Sequence, residues 1–172
     1  AHRLSFNEAL PLLDRTEFKR VEIIGKRLVV LSCFKSIIEC PEDKQDITDW
    51  LTRKNLMNDL SKRELALLDR ASPSTQDTID FSWYKESLYA MLWAVGIVKS
   101  MNFPAEESNV LSYLESIPPD KNLTEFIKDL KLRIEDEIFQ ELDFYYNLHW
   151  IAKRGGIELN KSVVVERRKA LE

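Results

Sequence analysis

Apolar residues recur along most of this chain at three- and four-residue steps, the spacing that lines one face of an α-helix. Val21, Ile24, Leu28, Leu31 and Phe34 form the first such stripe. Asp14, with Glu17 three residues on, reads as its start, and Pro41 ends it near Glu39. A shorter piece from Ile47 to Leu56 turns Ile47, Trp50 and Leu51 inward. Ser61 and Glu64 have the spacing of a capping box that opens a helix through Leu65, Leu67 and Leu68. The polar run from Ala71 to Asp77, with Pro73 inside it, reads as a loop.

The segment 82–101 breaks the amphipathic pattern. Trp83, Leu88, Met91, Leu92, Trp93, Val95, Ile97 and Val98 leave it almost no polar face. A helix of that kind belongs in the middle of a domain, covered by the others. The pattern therefore predicts an all-α fold, a compact bundle of six or seven helices around a buried central helix at about 82–101. Pro104 reads as the first residue of a further helix through Val110, Leu111 and Leu114, and Pro118-Pro119 breaks the chain again. A long helical stretch follows from Leu123 to Arg154, kinked or split near Asp129, with Gly155-Gly156 as its cap. From Ser162 to Glu172 three consecutive valines suggest a strand, but the helix formers after them, Glu166 to Leu171, predict a helix. It stops abruptly, as a trimmed chain would. No linker or repeat interrupts 1–172, which reads as a single helical domain.

Composition sharpens this picture. Four glycines in 172 residues are too few for the tight turns of an all-β domain. A net charge of −4 argues against a general nucleic-acid binder. The charge is uneven: Glu106 to Asp143 holds eleven acids against four bases, Lys153 to Glu172 six bases against three acids. The simplest outcome is self-complementarity within the fold. Cys33 and Cys40 would stand roughly 10 Å apart on one helix, too far for a disulfide, and free thiols suit a reducing compartment. Without a membrane span or an apolar leader at Ala1-His2-Arg3-Leu4, the expected location is cytoplasmic.

Two constellations could carry chemistry. Glu86 shares a helix face with Trp83, Ala90, Trp93 and Ile97. A carboxylate there must be paired, protonated or functional, because isolated burial costs several kcal/mol. The expected partner is an arginine from another helix, Arg133 or Arg167; the alternative is an acid of raised pKa lining a pocket. Further on, Phe139, Asp143, Tyr146 and Trp150 form one stripe, and Ile138, Leu142, Tyr145 and His149 its neighbour. His149 with Asp143 suggests acid–base or metal chemistry, against the plainer reading of a hydrogen-bonded core histidine. A dinuclear metal site is not expected, since neither His2 nor His149 has a Glu three residues before it. Zinc-type Cys/His pairs, phosphate loops, dinucleotide fingerprints and G-x-S-x-G are missing from the sequence, so no metal or cofactor is expected. Glu166-Arg167-Arg168-Lys169 reads as a solvated face with one arginine turned inward, or as a docking surface for an acidic partner.

Three stretches carry a family resemblance: Trp83 to Gly96; Arg133 to Ile138, continuing through Asp143 and Tyr146 to His149-Trp150; and Val165 to Leu171. In order and spacing they resemble a bacterial family known as domain of unknown function 4272, and Arg20 to Leu31 is similar to its first helix. Gln140 stands where that family commonly has an acid, and Asn147 where it commonly has an arginine. The resemblance implies a helical fold and a bacterial origin, and no activity. The functional expectation is a non-enzymatic interaction or regulatory module whose partner is another protein, with Trp83, Trp93, Tyr146, Trp150, Arg133, Arg167 and Arg168 as candidate binding residues. The alternative is an enzyme or small-ligand-binding protein using an acidic and aromatic pocket around Glu86, Asp143 and His149.

Overall fold

The first apolar stripe becomes α1 (Val21–Glu39), in which Leu28 to Lys35 are buried without a break. A helix covered on several sides must lie inside its neighbours, so α1 shares the centre of the molecule with the segment the sequence marks as central. The structure, a computed structural model, describes residues 13, 17–154 and 158–172. Along them follow α2 (Lys44–Arg53), α3 (Lys62–Leu68), α4 (Thr75–Ser82), α5 (Tyr84–Ala94), the single turn α6 (Leu111–Leu114), α7 (Leu123–Asp129), α8 (Glu135–Arg154) and α9 (Lys161–Leu171). No strand occurs among the described residues, and the fold is all-α as the periodicity predicts. The expected Asp14 start and the Gly155-Gly156 cap lie outside the described residues. Within them α1 begins at Val21, with Arg20 at its N-cap offering no side-chain bond.

The central segment differs from its prediction in length. Trp83 separates α4 from α5, and α5 ends at Ala94 rather than Met101. The cause is Gly96, whose φ of 77° lies in the left-handed region. Its N–H donates to the Trp93 carbonyl and the Ile97 N–H to Leu92, both at 2.9 Å, the two bonds of a Schellman cap. A Cβ on Gly96 would meet only the Lys131 carbonyl oxygen, at 3.9 Å, so a substitution is penalised by the backbone alone. Gly96→Ala is expected to lower stability by about 1–2 kcal/mol in a urea titration.

Two other boundaries moved for local reasons. The expected loop 71–77 contains a second capping box: Ser74 accepts from the Asp77 N–H, Asp77 accepts from the Ser74 N–H, and α4 starts at Thr75. The helix expected from Pro104 is replaced by a turn and irregular chain, leaving only α6. Its backbone donors and acceptors are spent elsewhere: the Ser108 N–H goes to Glu86 and the Pro104 carbonyl accepts from Asn160. The split near Asp129 is observed. Leu130 adopts an extended conformation, and the Arg133 N–H then donates to the Ala94 carbonyl at the end of α5, 2.9 Å away.

The main core joins α1, α4 and α5, with Phe34 and Phe81 stacked at 5.5 Å. A smaller cluster of Tyr145, Leu148 and Val164 seals α8 against α9. Helix α9 packs on both α5 and α8, and that placement builds the polar centre described next.

Candidate functional site: a buried ion pair beside an open cleft

Glu86 and Arg167 are both fully buried, one on α5 and the other on α9. Arg167 Nε donates to Glu86 Oε2 at 2.9 Å. The second carboxylate oxygen accepts from the Ser108 N–H at 2.6 Å and the Ser108 hydroxyl at 3.1 Å. The rest of the guanidinium is satisfied as well. Nη1 donates to the Asn102 carbonyl at 2.8 Å and to the Tyr145 hydroxyl at 3.0 Å, and Nη2 to the Asn102 side chain at 3.1 Å. The Tyr89 ring lies under the guanidinium, 4.9 Å from its centroid. Burial pushes the Tyr145 hydroxyl up to about 12 against the opposing Arg167 charge, so it remains a neutral phenol. Every oxygen of Glu86 therefore faces a fixed donor, which is how a buried charge avoids its desolvation penalty.

Of the two arginines expected to meet Glu86, Arg167 does. Arg133 instead caps the C-terminal end of α5. It stacks on Trp93 at 4.8 Å, and its side chain donates to the Trp93, Val98 and Lys99 carbonyls. Glu141 on α8 lies within reach of both arginine charges, yet burial outweighs them and raises its carboxyl. No apolar stripe marks Glu141, and the sequence reading passed over it.

A second buried acid also escaped that reading. Glu64, legible only as the end of a capping box, is fully buried on α3. It accepts from the Ser61 N–H at 2.7 Å, from Arg27 of α1 at 2.8 Å and from the Tyr84 hydroxyl of α5 at 2.8 Å. Burial, reinforced by the Glu64 charge, raises Tyr84 far above the ordinary phenol range. The capping glutamate thus also ties three helices together. The available signal was Arg27, a charge directly before the apolar run Leu28 to Leu31 of α1.

Asp143 is exposed, its Oδ2 3.4 Å from Asn147 Nδ2. His149 is half-buried, its Nδ1 2.6 Å from Arg168 Nη1. A six-residue step turns about 240° around a helix, so Asp143 and His149 leave α8 on different sides. Among the described residues no hydrogen bond or ion pair joins either of them to Glu86. Arg168 lies over the Tyr146 ring at 5.9 Å and Arg154 over Trp150 at 3.9 Å. Trp83 is half-buried at the α4–α5 junction, and Trp93 is buried. Among the described residues no group of three or more His, Cys, Asp and Glu could hold a metal. No helix among them is long and apolar enough to cross a membrane.

The concave surface lies elsewhere. A cleft of about 490 Å³ opens between α1, α5 and α9, with Ile24, Leu31, Met91 and Leu171 on its walls. Ile23 stands at the cleft, 46% exposed. Charges of both signs surround it, Glu17, Lys19, Glu166 and Lys169 among them. Glu86, Asp143 and His149 do not line it. The chain matches no curated protein and no solved structure. A family model does match, over residues 4–172, and the chain belongs to that family, the domain of unknown function DUF4272.

Proposed function

We propose that this chain is a single-domain, non-enzymatic protein-interaction module of the bacterial cytoplasm, and that it receives an amphipathic helix of a partner protein in the cleft between α1, α5 and α9. The enclosure of Glu86 carries this reading. An acid held by Arg167 and Ser108 through both oxygens, and shut off from solvent, is placed to anchor α9 rather than to meet a substrate. The cleft has what a helix-in-groove surface needs: an apolar floor, an exposed isoleucine at its edge and a rim of mixed charge. The location is supported by two free thiols, Cys33 buried and pushed up to about 12 by that burial, Cys40 exposed.

Photo-crosslinking tests the surface. A benzophenone amino acid at position 23 is expected to trap a protein adduct in cells of the source organism. The same probe at Ile134, which is 67% exposed and outside the cleft, is expected to trap little. Adducts formed as readily at position 134, or none at position 23, would reject the cleft as the docking surface.

A further inference from the structure

Helices α8 and α9 bring a second group of side chains together around His149 and Arg168. His149 Nδ1 meets Arg168 Nη1 across the two helices at 2.6 Å. Lys153 stands one turn beyond His149 on α8, and Lys161 two turns before Arg168 on α9, so each lysine shares a face with one of the pair. All three cations act on the imidazole. Burial first, then Arg168, Lys153 and Lys161, hold His149 below its ordinary value, and Glu172 is the acid that opposes them. The basic excess is local, in a chain whose net charge is −4.

Arg168 is poised rather than spent. Its guanidinium lies over the Tyr146 ring. Glu172 Oε1 is 3.2 Å from its buried Nε, yet among the described residues Nε makes no hydrogen bond, so the carboxylate supplies charge without receiving a directed N–H. An anion already sits beside the arginine in a geometry that leaves the donor unused.

We propose that Arg168, Lys153, Lys161 and His149 form a binding site for the phosphoryl group of a small phosphorylated molecule, which displaces the Glu172 carboxylate. The planar fork of Arg168 suits two phosphoryl oxygens, and the lysines supply point charges to the remainder. A phosphoryl group carries close to two negative charges at neutral pH, more than the single carboxylate it replaces. In the free protein neutral His149 accepts from Arg168; with the anion bound, the imidazolium becomes a further donor. The bound anion therefore raises the His149 pKa, and binding tightens as pH falls through that raised value.

Calorimetric titration of the full chain with inorganic pyrophosphate at low salt tests the site. One saturable site is expected. Arg168→Gln should weaken it about tenfold and Lys161→Gln, at an exposed position that cannot compromise folding, should weaken it severalfold. Glu172→Gln removes the competing carboxylate and should tighten it. The His149 ring proton resonance should report a midpoint shifted upward by pyrophosphate. ADP should bind at least as tightly as pyrophosphate. Absence of saturable binding, or equal affinity in wild type and both weakening variants, would overturn the site. So would a Glu172→Gln variant no tighter than wild type. ADP failing where pyrophosphate binds would reduce it to a site for the inorganic ion and also reject the proposal.

Discussion

Glu86→Ala is expected to destabilise the protein by about 3–5 kcal/mol, because it strands Arg167 in the interior. The guanidinium would keep its bonds to Asn102 and Tyr145 but lose the Glu86 carboxylate that faces its charge. The Ser108 N–H would lose its acceptor in the same step. A loss of that size is a large fraction of the 5–15 kcal/mol by which domains are ordinarily stable. Glu86→Gln keeps an oxygen for Ser108 or for Arg167 and should cost less. Urea unfolding measures both variants; an unchanged or raised midpoint for Glu86→Ala would show that the pair does not hold α9 in place.

Arg167→Ala should be as damaging, about 3–5 kcal/mol, and for a reason that reaches the cleft. Arg167 is fully buried and is the polar anchor of α9; the other buried side chains of that helix are Val163 and Val164. Its removal leaves Glu86 as an uncompensated buried charge and frees the Asn102 carbonyl and the Tyr145 hydroxyl. Helix α9 should then lose amide protection before α1 and α5 do, and with it the cleft wall that carries Leu171. The double variant Glu86→Ala/Arg167→Ala should lose less than the two single losses added together, since neither charge is left alone. Additive losses would mean that the two side chains act independently.

The sequence predicts these anchors unequally, and the reasons are physical. The Glu86 pairing was legible because turning that carboxylate to solvent would also turn Trp83 and Trp93 outward. The choice between Arg133 and Arg167 was not, since periodicity fixes the face of a helix and says nothing about which neighbour covers it. Glu64 was hidden by its own local role: a residue that completes a capping box looks accounted for, and only the packing of α3 against Arg27 and Tyr84 reveals the rest. The overlong central helix came from reading apolar content through Gly96, where a left-handed residue ends the helix although the hydrophobic run continues. The expected helix after Pro104 failed through competition. Glu86 takes the Ser108 N–H, and one long-range bond of a buried charge outweighs a local preference. The Asp143–His149 pairing failed on angle: adjacent stripes look close along the chain, but a six-residue step separates their members around the helix axis.

In the proposed division of labour, Glu86 maintains the fold and the α1–α5–α9 cleft does the binding. Partner capture by wild type, Ile23→Glu and Glu86→Gln, each first shown to be folded by its helical circular dichroism, tests that division most directly. Ile23→Glu should lose the partner, because the charge lands on an exposed apolar edge of the cleft and leaves the core untouched. Glu86→Gln should retain it, at reduced stability. A folded Glu86→Gln that loses the partner while Ile23→Glu keeps it would contradict the account and return Glu86 to the centre of function.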